Sequence, residues 1–327
     1  MVGIREVAKL AGVSPATVSR VINGTAKVSS DKRERVLSAI SETGFVPNEV
    51  ARSLYKKSAK LIGLVIPSIK NPYFTQMAGA VEKTADQYGY RILLYDTGGD
   101  IEKEKTAISM LSSMNADGII LTTGNDALQP YLTESKIPIV MIDRILPDIE
   151  CGIFVYCNHY EGGRMAAEHL VACGCRSIVC VREPQNISSA RARYEGYRDV
   201  CTEHNLTEQI IESDFDAFEP FLKTEELLER YPDVDGIVAC NDIVAISIYK
   251  ALYKNNIAVP EQIQLVGFDN VELASLVTPE LTTVAQPIDE MGGKAVELII
   301  NGNGDGPNTY IYPISLKIRE TTKQKII

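Results

Sequence analysis

The chain has 327 residues, 45% of them hydrophobic, and a net charge of −10, with seven Cys, three His and no Trp. That is enough apolar material for more than one core, while the longest apolar runs, such as Leu61–Pro67, are strand-length and leave no candidate for a membrane-spanning helix. No apolar signal-peptide core opens the sequence and no CxxC pair accompanies the scattered histidines, so a cytoplasmic protein with reduced thiols and no structural zinc is expected.

The charge is divided unevenly. Residues 1–60 hold eleven Lys/Arg against five Asp/Glu, a net +6, which leaves −16 on the remainder. A basic head that meets phosphate and an acidic body that does not would produce this split.

The head opens with apolar residues at helical spacing, Ile4, Val7, Ala8 and Ala11, stopped by Gly12. Ser14 then caps a second helix that starts on Pro15, where the missing N–H costs nothing. Val18, Val21 and Ile22 form its inward face and leave Ala16, Thr17, Ser19 and Arg20 outward. Ser29 or Ser30 caps a third helix through Thr43, with Val36, Leu37 and Ile40 inward and Gly44 at its end. Two short helices joined by a Gly-containing turn and braced by a third is the helix-turn-helix arrangement. A small helical bundle for protein contacts has the same periodicity; the outward face of small and hydroxylated residues plus one Arg favours DNA.

Next comes "FVPNEVARSLYKK", Phe45–Lys57. Pro47 ends the preceding element, Asn48 is a good N-cap, and Val50, Ala51 and Leu54 share a face. Isolated helices below ~12–15 residues are marginal in water, so this one needs a partner to form.

From residue 60 the pattern alternates: strand "KLIGLVIP", helix "YFTQMAGAVEKTADQYG", strand "YRILLYDT", helix "KEKTAISMLSSMNA", strand "DGIILTT", helix "ALQPYLTESK", strand "IPIVMIDR". Then follow helix "GGRMAAEHLVACG", strand "SIVCVR", helix "ARARYEGYRDVCTEHN", strand "DGIVACND", helix "IVAISIYKALYKNN", strand "IQLVGFD" and a last strand "YIYPISLKIRETT". Such alternation predicts parallel sheets covered by helices, and the number of strands predicts two lobes of similar topology. Ligands of such sheets bind beyond the carboxyl ends of the strands.

The stretches "AKLAGVSPATVSRVING", "VPNEVARSLYKK", "IGLVIPSIKNPYF" and "VGFDN…TPELTTVAQP" resemble the lactose-repressor/galactose-repressor family of bacterial transcription regulators, in the family's order and over essentially the whole chain. The resemblance implies an all-α helix-turn-helix head (1–46), a hinge helix and linker (47–60), and an α/β two-lobed body like the sugar-binding periplasmic proteins (61–327). The N-lobe would take about 61–156 and 287–312, and the C-lobe about 157–286 and 313–327. It also implies homodimers on pseudo-palindromic operator DNA. The DNA-binding residues would be Ser14, Pro15, Ala16, Thr17, Ser19, Arg20 and Asn23 in the head, and Asn48, Val50, Ala51 and Leu54 in the hinge. Leu54 would be a wedge in the minor groove.

Sugar recognition needs planar polar groups that bridge hydroxyls, with aromatic faces for the ring. Candidates stand mostly beyond strand ends: Asn71, Tyr73, Phe74, Asp143, Arg144, Asn241 and Asp269. Arg193, Gln286 and Phe215 complete the set, which by position looks like the polar constellation of ribose-binding and related proteins. The hinge and "NPYF" loop look most like those of ribose-operon repressors, which makes a pentose inducer such as ribose the expected effector. A purine, another sugar or a phosphoprotein co-regulator are the alternatives. No Ser-His-Asp order, phosphate-cradling glycine loop or metal-ligand cluster supports an enzyme or a cofactor. His159, His169 and His204 are expected to be structural or exposed.

Overall fold

The computed structural model describes residues 3–24, 27–45, 58–123, 125–146, 152–213 and 219–323. They belong to two compact units, Met1–Ala59 and Lys60–Ile327.

The first unit holds α1 (Ile4–Leu10), α2 (Pro15–Asn23) and α3 (Ser30–Thr43). Gly12, at φ +63°, makes the turn between α1 and α2, and the Ser14 side chain caps α2 by accepting from Thr17 N at 3.2 Å. Val7, Ala8, Ala11, Val18, Val36 and Ala39 form the buried core, with Ile4, Val21, Ile22 and Ile40 packed against it. Leu37 departs from expectation: it is 51% exposed. With 3.6 residues per turn, Val36, Ala39 and Ile40 share the inner stripe, and Leu37 is turned about 100° away from Val36. Ser29 occupies the N-cap position of α3 without a side-chain cap bond.

The second unit carries two six-stranded sheets. The first contains β1 (Leu61–Ile66), β2 (Arg91–Asp96), β3 (Gly118–Leu121), β4 (Ile139–Ile142), β5 (Ile153–Cys157) and β11 (Thr309–Tyr312). The second contains β6 (Ile178–Arg182), β7 (Gln209–Glu212), β8 (Gly236–Ala239), β9 (Gln264–Asp269), β10 (Thr282–Ala285) and β12 (Ser315–Lys317). Their orders, β11-β5-β4-β3-β1-β2 and β12-β10-β9-β8-β6-β7, are the same arrangement repeated. Every pairing is parallel except β10 with β12.

The helices are α4 (Pro72–Gln87), α5 (Ile101–Ser113), α6 (Gln129–Thr133), α7 (His159–Ala172), α8 (Ser188–Glu203), α9 (Glu219–Arg230), α10 (Asp242–Lys254) and α11 (Ile288–Asn301). Helices cover both faces of each sheet, so central strands such as "GIIL" and "GIVA" are apolar and buried throughout. Each lobe has its own core, Leu64, Met77 and Met291 in one cluster and Tyr197, Val266 and Phe268 in another.

Several elements differ from the sequence reading. β5, β7, β10, α9 and α11 were not among the predicted elements, and the helix expected over "ALQPYLTESK" is a 3-10 turn followed by the five residues of α6. The single expected C-terminal strand is two, interrupted at Pro313, with β11 paired to β5 and β12 to β10. The chain therefore crosses between the lobes three times, after β5, after β10 and after β11.

The pair α7–α8 sets the position of Arg193. Gly163 and Gly196 face across the contact: a Cβ at 163 would lie 1.9 Å from the Arg193 carbonyl oxygen, and one at 196 would lie 2.2 Å from the Tyr160 carbonyl oxygen. Both obstacles are backbone, so the helices would have to part. Gly163→Ala is expected to destabilise the body by about 1–3 kcal/mol, the range of overpacking. A urea unfolding midpoint equal to the parent's would contradict this.

Candidate functional site

In the head, Ser14, Pro15, Ala16 and Arg20 are exposed on α2, and Thr17 and Ser19 are half-buried. Ser14 Oγ and Thr17 Oγ1 are 2.9 Å apart, so the capping hydroxyls fix one another. Asn23 ends α2. Asn48, Val50, Ala51, Leu54 and Phe215 lie outside the described residues.

In the body, one constellation forms where the carboxyl ends of the strands of both sheets meet. Asn71 caps α4 by accepting from Tyr73 N at 3.0 Å, which places Tyr73 and Phe74 on the helix's first turn in an edge-to-face pair 5.1 Å apart. Asp143 follows β4 at φ +71° and Asp269 ends β9 at φ +109°, a backbone region that side chains other than glycine seldom occupy. Turning there aims each carboxylate at the inter-lobe space.

Asp143 gathers the partners. Tyr73 donates to its Oδ1 at 3.2 Å and Ser189 to its Oδ2 at 3.5 Å. His159 Nε2 stands 3.3 Å away, Arg144 Nε 3.9 Å and Arg193 Nη2 4.0 Å. Burial would raise this carboxyl, but the His159 hydrogen bond, then the charges of Arg193 and Arg144, hold it well below the usual carboxylate range.

Arg193 binds the C-lobe wall together. Its Nη1 donates to the Cys240 carbonyl at 2.6 Å, its Nε donates to His159 Nδ1 at 3.2 Å, and its Nη2 lies 3.7 Å from Asp269. The guanidinium sits 3.8 Å over the Phe268 ring. Because His159 Nδ1 accepts from Arg193, its proton is on Nε2, shared between the Asp143 carbonyl and carboxylate. Burial lowers the His159 pKa, in keeping with that neutral tautomer. Gln286 donates to Asp269 at 2.7 Å, and its Oε1 accepts from Cys157 at 3.1 Å and stands 3.5 Å from the Tyr73 hydroxyl. Burial raises Asp269 well above the ordinary range, offset only in part by Arg193.

Two members were missed in the sequence. His159, expected to be structural or exposed, is 4% exposed and ties Asp143 to Arg193; it follows β5 by two residues, and β5 itself was not predicted. Glu183, 2% exposed, directly follows β6 and accepts from Asn241 Nδ2 at 2.8 Å. Its signal was its place: the first residue beyond a strand, on the same sheet edge as Asn241 and Asp269. Of the other histidines, His169 is buried against Thr322 at 2.9 Å and His204 is exposed.

Two chambers meet here. An inner one of about 20 Å³ is lined by Asn71, Tyr73, Phe74, Asp143, Arg144, Glu183, Ser189, Arg193, Asn241 and Asp269. Room for about one water is all that volume gives, because the polar groups are bonded to one another; a sugar would have to part the lobes and take over those bonds. An outer one of about 470 Å³ opens from it past Asn71, Phe74 and Arg144. Among the described residues there is no group of three or more His, Cys, Asp or Glu that could hold a metal ion, and no helix long and apolar enough to cross a membrane.

Glu183 gives a pH-dependent expectation. Burial raises its pKa above 4.5, so the folded chain holds this proton more tightly than the unfolded chain. Between the two pKa values the folded state binds more protons, and stability falls as pH rises. Glu183→Gln, whose amide oxygen can still accept from Asn241, removes that loss. Its urea midpoint is expected to exceed the parent's at neutral pH, with the gap closing toward acid; a gap independent of pH would contradict the assignment.

Residues 3–48 match the model of the bacterial regulatory proteins of the lacI family, and residues 59–320 match that of periplasmic binding proteins and the sugar-binding domain of the LacI family. A ribose operon repressor of Halalkalibacterium halodurans is 41% identical over 99% of this chain and 98% of its own. The lac repressor dimer bound to operator and the anti-inducer ONPF superposes with a TM-score of 0.86, at 29% identity, covering 98% of both chains. A periplasmic-binding-protein/LacI regulator of Alkaliphilus metalliredigens complexed with D-xylulofuranose matches 81% of this chain and 100% of its own, with a TM-score of 0.73 and 33% identity. With a helix-turn-helix head, a body of two similarly wound parallel sheets and a polar constellation at their facing strand ends, the chain belongs to the LacI family of bacterial regulatory proteins.

Proposed function

We propose that this chain is a sugar-responsive transcriptional repressor, which holds a pseudo-palindromic operator as a homodimer in the cytoplasm and is released by a small pentose, ribose first, taken between the lobes. The observation that carries the reading is the inner chamber. Arg144 and Arg193 offer forked donors, while Asp143, Asp269 and Glu183 offer acceptors, next to the Tyr73–Phe74 pair. Ribose operon repressors among the relatives and the D-xylulofuranose-bound structure support a pentose.

Self-association has a face to use. Tyr253 is 71% and Leu276 72% exposed. Tyr249 of α10 donates to the Thr278 carbonyl at 2.7 Å, which joins that helix to the 273–278 segment as one surface. These exposed apolar side chains are where a second copy of the chain would pack, and the lac repressor structure is a dimer.

The DNA half rests on the head. Arg20, exposed near the end of α2, would reach a base edge, and loss of a good bidentate contact costs ~1–3 kcal/mol. Arg20→Ala is therefore expected to weaken binding to DNA selected by the parent from a random pool, with ribose affinity unchanged. Equal operator affinities would remove Arg20 from the reading set.

A further inference from the structure

The outer chamber is much larger than the inner one, and most of its walls belong to none of the groups that recognise the pentose. Its C-lobe wall is aliphatic, Ile187 and Ile243 beside Asn186. Its N-lobe wall mixes Pro67 and Phe74 with the polar groups of Lys70, Glu104, Thr123 and Asn125. Glu104 is 3% exposed and accepts from Thr123 Oγ1 at 2.8 Å. That hydrogen bond and the Arg144 charge are the partners that hold a carboxyl at the side of the chamber. Burial also raises its pKa, partly offset by the Thr123 hydrogen bond and the Arg144 charge.

We infer that the outer chamber is a second subsite, and that a pentose carrying a second ring, that is, a pentosyl glycoside, binds this chain more tightly than the free pentose. This rests on the sugar reading above. Two opposed walls of different character select the added group: one flat face lies on the two isoleucines, and a hydrogen-bonding edge meets Glu104, Thr123 and Asn125. At about 470 Å³ the chamber falls in the range of pockets that bury ligands larger than a monosaccharide. Arg144, which lines both chambers, lies where the two rings join. A second sugar ring and a nucleobase share this chemistry, and separate ligands distinguish them.

The test is calorimetric titration of the full chain with D-ribose, with a ribonucleoside and with a ribosyl disaccharide, repeated on Ile187→Trp, which fills the chamber, and on Glu104→Gln. At least one two-ring ligand is expected to bind tenfold or more tighter than ribose. The advantage should vanish in Ile187→Trp and shrink in Glu104→Gln, while ribose affinity stays at the parent's value in both. If ribose binds and a second ring adds nothing, or adds as much in Ile187→Trp, the chamber is only an entrance; the inference falls and the sugar reading stands. If no pentose or pentosyl ligand binds a parent chain shown by its melt to be folded, the sugar reading falls and takes this inference with it.

Discussion

Arg193→Ala is expected to abolish sugar binding and to weaken the body while leaving operator binding intact. The side chain is buried and spends its donors on the Cys240 carbonyl, His159 and the neighbourhood of Asp269. Its loss leaves Asp143, Asp269 and Glu183 in one desolvated chamber with Arg144 as the guanidinium that remains. Breaking a buried charge pair by removing one partner costs about 3–5 kcal/mol. Arg193→Lys separates charge from geometry, since ammonium keeps the positive charge but not the fork that holds the Cys240 carbonyl and His159 Nδ1 together. The lysine variant should regain much of the lost stability and little of the affinity. Calorimetry with ribose and urea unfolding of all three chains check this; an alanine variant that binds ribose like the parent would remove Arg193 from the site.

The second large effect concerns the hinge proposed for residues 47–60. Leu54→Ala should lower operator affinity by roughly a few kcal/mol, the scale of the unstacking that an apolar wedge drives. Non-specific DNA binding, dominated by phosphate charge and salt, should barely change. Competition binding against operator and random DNA at fixed salt separates the two, and equal losses on both would make Leu54 an ordinary packing residue.

Much of the fold could be read from local contrast. "GIVAC" followed by Asn241-Asp242 and "LVGF" followed by Asp269 show an apolar strand giving way to polar groups, and the structure brings both groups to one edge. Residues whose roles depend on which strands are neighbours were harder to find. Glu183 meets Asn241 because β6 lies beside β8 in the sheet, a fact carried by no periodicity. His159 joins Asp143 to Arg193 from the start of α7, across the crossing between the lobes, and a lone histidine near a helix says nothing of that. β11 and β12 read as one run because the choice of sheet on either side of Pro313 is made by tertiary pairing. Leu37 failed for a simpler reason, since its neighbour Val36 takes the inward position on the helix.

We propose that sugar and operator weaken each other's binding because each favours a different arrangement of the two lobes. A ligand shifts such an equilibrium only by its differential affinity for the two states, and the coupling must be reciprocal. The direct measurement is a closed cycle on the full chain: operator affinity with and without saturating ribose, and ribose affinity with and without saturating operator. Each ligand is expected to weaken the other by the same factor, in the 5–150-fold range of ordinary coupling. Ribose that binds while leaving operator affinity unchanged, or tightens it, would contradict the account.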